Sequence, residues 1–134
     1  IIVFDIDEFK AINDTYGHHT GDQVITSVSN IALETLRDTD LIARLGGEEF
    51  GVLLPGICTA EAYVIAERIR VSISENASDA VEQSGVEVTA SFGVTTISPE
   101  DDMTLEDLVD LADKAMYQAK HLGRNNTSVN KETV

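Results

Sequence analysis

The chain has 134 residues, 43% of them hydrophobic and 25% charged, a size and balance that suit one domain with a sizeable core. Nine Lys plus Arg stand against 24 Asp plus Glu, and a formal net charge of −15 argues against nucleic acid or direct contact with an anionic membrane. Cys58 is the single cysteine, so no internal disulfide can form, and no apolar run approaches membrane-spanning length; a cytoplasmic domain fits, whether or not a longer parent is membrane-anchored.

The opening run Ile1-Ile2-Val3-Phe4, followed by Asp5-Ile6-Asp7, predicts a strand buried on both faces with carboxylates at its carboxyl end. In open sheets that end is where ligands sit. Glu8-Phe9-Lys10 opens a short helix, whose unsatisfied N–H groups can cradle phosphate. Thr20 with Gln23 forms a capping-box pattern ahead of Val24, Ile25, Val28, Ile31, Ala32 and Leu36, which share a helical face. Two short apolar strands come next, Leu41 to Leu45 and Phe50 to Leu54, joined at Gly46-Gly47. Thr59 caps a helix carrying Ala62, Ile65, Ala66, Ile69 and Ile73, and Asn76 to Gly85 reads as an exposed acidic loop. Val86, Val88, Ala90, Phe92 and Val94 alternate with small or polar residues, the pattern of a half-buried strand. The last long helix runs from Thr104 to Leu122 with Leu105, Leu108, Ala112, Ala115, Met116 and Ala119 inward and Gly123 as its cap. The order βαββαβα predicts an α+β sandwich with an antiparallel-rich central sheet flanked by helices.

Chemistry concentrates at Gly46-Gly47-Glu48-Glu49-Phe50. Glycines suit the tight turn, and alternation turns Glu49 away from Phe50, so both glutamates can meet near the tip. Taken alone, the motif equally suits a solvated hairpin. If the hairpin packs beside the first strand, Asp5, Glu48 and Glu49 gather at one spot. Carboxylates about 4 Å apart repel by roughly 4 kcal/mol per pair at an effective dielectric of 20, which calls for a proton or a cation. An all-oxygen donor set favours Mg²⁺ or Mn²⁺.

These elements fall into an ordered series: Phe4-Asp5-Ile6-Asp7-Glu8-Phe9-Lys10, Asn13-Asp14, Gly17-His18, Gly21-Asp22, Arg44-Leu45-Gly46-Gly47-Glu48-Glu49-Phe50, Tyr117-Gln118-Ala119-Lys120 and Gly123-Arg124-Asn125. The series resembles the GGDEF family of diguanylate cyclases, which condense two GTP into cyclic di-GMP and two pyrophosphates. The likeness runs from residue 1 to about residue 125, with Glu48 as a common variant of the eponymous aspartate. It implies a palm-like nucleotide-cyclase fold and one catalytic domain over residues 1–134, truncated before the family's upstream helix and Asp-x-Leu-Thr-Gly-Leu turn.

The resemblance also implies roles. Asp5, the Ile6 carbonyl, Glu48 and Glu49 would hold two Mg²⁺ or Mn²⁺ ions, with Glu48 as general base or orienter of the attacking hydroxyl. Glu8, Phe9 and Lys10 would contact the β- and γ-phosphates, Lys10 adding charge to the catalytic set, with Gly47 at the hairpin tip, and Lys120 and Arg124 would reach the terminal phosphates. The plain alternative for the last two is a pair of helix-end cations. Asn13 and Asp22 would read guanine, a carboxylate accepting from N1–H and the exocyclic amine; they also suit a turn and a first helical turn. Arg37-x-x-Asp40 stands in the register of the family's product-inhibition site, and Arg68 is where a neighbouring molecule can supply a second arginine. An exposed helix-end ion pair is the other reading of Arg37 and Asp40. Neither His18 nor His19 is assigned as a ligand. GTP is the implied substrate, cyclic di-GMP the product and inhibitor, and a homodimer the catalytic unit. A nucleotide-binding module that serves as a cyclic di-GMP receptor is the alternative function.

Overall fold

The computed structural model describes residues 1–98 and 100–130. Its elements are β1 (Ile2–Ile6), α1 (Phe9–Tyr16), α2 (His18–Thr35), β2 (Leu41–Gly46), β3 (Glu49–Leu53), α3 (Thr59–Asn76), a 3₁₀ turn (Ala77–Ala80), β4 (Ala90–Val94), α4 (Leu105–His121) and β5 (Thr127–Val129). The five strands form one sheet in the order β2-β3-β1-β4-β5, antiparallel except for the parallel β4–β5 pair. The α+β, antiparallel-rich architecture expected from sequence is the one observed.

Alternation along β1 explains both layers. Ile2, Phe4 and Ile6 join the large core with residues of α2 and α3, whereas Val3 packs with Ala112 and Met116 of α4. Phe4 is paired with Phe50 on one side and Phe92 on the other, and the three rings stack at centroid distances of 5.1 and 4.6 Å. Each such pair contributes about 1 kcal/mol beyond its buried area. The other face of β1 therefore looks toward α4, and Asp5 belongs to it.

Several expectations are corrected. The second helix starts at His18 rather than at a Thr20 cap, because Gly17 (φ 94°, ψ 165°) ends α1 and begins α2 in one residue. Thr20 is buried, and Gln23 Oε1 instead accepts the Glu82 N–H at 3.2 Å. Thr59 is the first residue of α3 rather than its cap; its hydroxyl hydrogen-bonds that of Thr96 at 2.7 Å. The supposed exposed loop after α3 contains the 3₁₀ turn, pinned where the Ser27 hydroxyl donates to the Ala77 carbonyl at 2.7 Å, with Ala77 and Val81 buried. β4 is buried along its whole length because β1 and β5 flank it and α3 and α4 cover its faces. Leu105, expected inward, is 60% exposed in the first turn of α4. Thr104, expected as the first residue of α4, is instead its cap, in a full capping box with Asp107, and Gly123 takes φ 113° just beyond the helix. Among the described residues no helix is long and apolar enough to cross a membrane.

Candidate active site

The β1–β3 register sets Asp5 directly opposite Glu49. Directly opposed residues of an antiparallel pair project to one face, so the two carboxyls share the side covered by α4. Glu48 occupies the turn after Gly47 (φ 37°), and its carbonyl accepts the Ile6 N–H at 3.2 Å, which closes the tip onto the end of β1. Gly46 itself stays in the strand, paired with Glu49 across a bulge at Leu45. The Gly47 carbonyl accepts from Arg44 Nε at 2.7 Å, which stiffens the turn.

α4 brings two charges to this face. Lys120 Nζ lies 3.1 Å from Asp5 Oδ1, both side chains largely buried. Seven residues earlier, Asp113 faces Glu49, and its Oδ1 is buried without a hydrogen-bond donor among the described residues. Burial pushes the Asp5 carboxyl up to about 6; Lys120 opposes the rise, and the charges of Glu48 and Asp7 add to it. Burial pushes Glu49 up to about 7, with contributions from Asp113, Asp5 and Glu48. Two carboxyls in this position share a proton or take a cation.

The donors Asp5, Glu48, Glu49 and the Ile6 carbonyl are all hard oxygens, which fits Mg²⁺ or Mn²⁺. The orphaned Asp113 oxygen and the raised carboxyls show the charge that a divalent ion would relieve. Among the described residues no three Asp, Glu, His or Cys side chains already stand in metal-holding geometry; the cation at Asp5 is the Lys120 ammonium.

The remaining candidates arrange themselves around β1 and α1. Glu8 caps α1 in a left-handed conformation (φ 54°) and pairs with Arg124 at 3.6 Å, beside a cavity of about 360 Å³ lined by Asp7, Glu8, Ala11, Thr15, Thr89 and Arg124. Lys10 is exposed and makes no ion pair among the described residues, whereas Phe9 packs against the core. Asn13 Oδ1 is buried with no partner among the described residues, and it sits where a Cβ on Gly21 would be only 1.8 Å away. Gly21 thus admits Asn13 next to the exposed Asp22. His18 and His19 are exposed, and His19 lies 3.9 Å from Glu82.

Arg37 and Asp40 lie at the far end of β2, about 20 Å of strand from the hairpin tip. The pair is not a simple exposed bridge. Asp40's side chain is 1% exposed and accepts from the Arg37 backbone N–H at 2.8 Å and from its guanidinium at 2.6 Å; Arg37 also donates to the Pro55 carbonyl at 3.0 Å. Those hydrogen bonds hold the Asp40 carboxyl below its usual range. Arg68 lies elsewhere, on the exposed face of α3 beside Tyr63, Val64 and Val71.

Sequence reasoning placed Asp7 among the strand-end carboxylates without giving it a role, and overlooked Asp113 and Arg70. Asp7 is 5% exposed and accepts hydrogen bonds from Ser91 Oγ at 2.6 Å, Thr89 Oγ1 at 2.8 Å and the Asn125 N–H at 3.0 Å. Its place two residues after Asp5 was the available signal.

Residues 1–126 match the model of the family described as diguanylate cyclase, GGDEF domain. The chain belongs to the GGDEF family. It is 45% identical over 130 residues to the probable diguanylate cyclase DgcT of Escherichia coli, covering 96% of this chain and 28% of that protein. The chain spans 28%, 34% and 36% of three curated relatives that it matches. It also superposes on the active GGEEF domain of a diguanylate cyclase from Vibrio cholerae with a TM-score of 0.88 at 30% identity, covering 98% of this chain and 81% of that one. The GGDEF domain of DgcB from Caulobacter crescentus, solved in complex with c-di-GMP, gives 0.87 at 32% identity, with 98% and 77% covered. These GGDEF relatives share the sheet and helices described above.

Proposed function

We propose that this chain is the catalytic domain of a diguanylate cyclase, joining two GTP into cyclic di-GMP with release of two pyrophosphates. The observation that carries the reading is the pairing of Asp5 with Glu49, beside Glu48 in a turn closed onto β1.

Joining nucleotides requires a 3′-hydroxyl made nucleophilic and an α-phosphate whose developing charge is offset while pyrophosphate leaves in line. Asp5, the Ile6 carbonyl, Glu48 and Glu49 would hold two Mg²⁺ or Mn²⁺ ions, which when bound would supply that charge neutralisation and make the attacking hydroxyl more acidic. Glu48 orients the hydroxyl and takes its proton. The first turn of α1, whose N–H groups have no intrahelical acceptor, receives the β- and γ-phosphates through Glu8, Phe9 and Lys10. Lys120 and Arg124 exchange their carboxylate partners for the terminal phosphates, and exposed Lys10 adds charge. Asn13 and Asp22 read guanine, with Gly21 seating Asn13 beside the exposed Asp22. Gly47 supplies the positive φ of 37° that the turn at the tip requires.

Each domain supplies half of the reaction, so two GTP-loaded copies face one another in a homodimer. Product feedback uses Arg37 and Asp40, with Arg68 from a second copy. The buried Asp40 fixes the guanidinium while its outer part, on a side chain 47% exposed, is left to meet guanine or phosphate.

Glu48→Gln tests the reading. The variant folds and binds GTP, and its turnover falls at least about 100-fold. Turnover at the native rate would overturn the assignment of the hairpin.

A further inference from the structure

We infer that Asp7 and Arg70 are positioning residues for GTP, gripping the loop after α4 from opposite sides so that Arg124 is aimed at the terminal phosphates; this rests on the reading of Arg124 given above.

Arg124 and Asn125 both adopt left-handed backbone conformations, φ 64° and 46°. Two consecutive non-glycine residues in that region persist only where the surroundings hold them. The restraints are visible. Arg124 N–H donates to the Ala119 carbonyl at 3.1 Å and completes the turn off α4. Asn126 Nδ2 donates to the Ala119 and Arg124 carbonyls at 2.6 and 2.9 Å, and the Phe92 N–H bonds the Asn126 carbonyl at 3.0 Å. These bonds bind the loop to α4 and β4, the elements next to it in sequence or in the sheet.

Asp7 and Arg70 come from farther away and meet at Asn125. The Asp7 carboxylate takes the Asn125 N–H at 3.0 Å, while Arg70 Nη1 donates to the Asn125 carbonyl at 3.2 Å and to Oδ1 at 2.9 Å. Arg70 is itself held by Glu67, which also accepts from Thr127 Oγ1 at 3.0 Å. Asp7 is anchored by the Thr89 and Ser91 hydroxyls. The residue before this clamped peptide is Arg124, whose guanidinium stands 3.6 Å from Glu8 at the start of α1. The clamp therefore fixes the backbone from which Arg124 reaches toward the phosphate end. Neither Asp7 nor Arg70 need touch the nucleotide.

The geometry separates this role from a general loss of structure. Asp7→Asn can retain the clamp, because its amide oxygen can accept from Asn125 and Thr89 while its NH₂ donates to the Ser91 hydroxyl. Asp7→Ala removes it. Arg70→Met keeps the stem on α3 and removes both bonds to Asn125.

Calorimetric titration with GTP and with GMP, on the whole chain with Mg²⁺, supplies the test, using Arg124→Ala as the reference. Arg70→Met and Asp7→Ala weaken GTP about 10-fold and leave GMP unchanged, Asp7→Asn restores GTP affinity, and in turnover KM rises more than kcat falls. If Arg124→Ala weakens GTP but Arg70→Met does not, the clamp has no positioning role. Equal weakening of GTP and GMP by Arg70→Met also overturns it. If Arg124→Ala itself leaves GTP affinity unchanged, the phosphate role of Arg124 falls, and the clamp's purpose with it. Arg70→Met keeps the test decisive should Asp7→Ala fail to fold.

Discussion

Gly93 sits in the middle of β4, opposite Val3 of β1 and Ser128 of β5. A Cβ added there would lie 2.0 Å from the Ala112 carbonyl oxygen and 2.4 Å from the Met116 nitrogen, both backbone atoms of α4. No rotamer change can relieve that contact, so in Gly93→Ala the helix must withdraw by about 1 Å. Overpacking of this kind costs about 1–3 kcal/mol, and the upper part of that range applies because α4 also covers Val3 through Ala112 and Met116. The same helix delivers Lys120 to Asp5 at 3.1 Å and Asp113 to Glu49, so its withdrawal loosens the proposed catalytic face. A misplacement of about 1 Å at such a site costs on the order of 100-fold in rate. Urea titration by circular dichroism, with cyclic di-GMP formation measured on the folded fraction, checks both quantities. A midpoint change worth under about 0.5 kcal/mol together with native turnover would refute the account of how α4 is seated.

Three further outcomes follow from the site. Asp5 and Glu49 have carboxyls raised from 3.8 to about 6 and from 4.5 to about 7, so the native state holds more protons than the unfolded chain in that window. Their contribution is full below about pH 4 and is lost as pH rises through 6 and 7; in EDTA the melting temperature includes this fall, and Mg²⁺ raises it more at pH 8 than at pH 5. Equal Mg²⁺ effects at both pH values would count against these ligands. Arg37→Ala relieves inhibition by added cyclic di-GMP and costs about 1–3 kcal/mol, because Asp40, 1% exposed at its side chain, keeps only the Arg37 backbone N–H; an unchanged inhibition curve would return the pair to a structural role. Gly21→Ala gains up to about 1 kcal/mol of helix propensity yet displaces Asn13, whose Oδ1 lies 1.8 Å from the new Cβ position, so GTP and GMP binding weaken alike. Unchanged affinity for both would remove Asn13 from the guanine site.

The carboxylate face formed by Asp5 and Glu49 was legible because it depends on short-range rules. Four apolar residues before Asp5 marked a buried strand, and alternation placed Glu49 opposite Phe50's face; the register then needed only the hairpin to fall beside β1. Helix starts were less legible. Thr20 and Thr59 have cap chemistry, but Gly17 and Cys58 take the cap positions, since a positive φ at Gly17 and the Thr59–Thr96 hydrogen bond outweigh local preference. β5 is three residues long and polar at two of them, and it follows a loop whose Asn125 is hydrogen-bonded by Asp7 and Arg70. That clamp joins residues 55 and 118 positions apart in the chain, a separation that no periodicity reports. Asp113 was hidden for the same reason: on its helix it is one acid among several, and only the packing of α4 turns it toward Glu49.

The measurement closest to the central claim is incubation of the purified chain, at high concentration to favour pairing, with GTP and Mg²⁺ or Mn²⁺, followed by chromatography and mass spectrometry of the products. The account predicts cyclic di-GMP and two pyrophosphates per molecule of product, formed only with the divalent ion. Any other nucleotide product, or no turnover from a chain that dimerises and binds GTP, would contradict it.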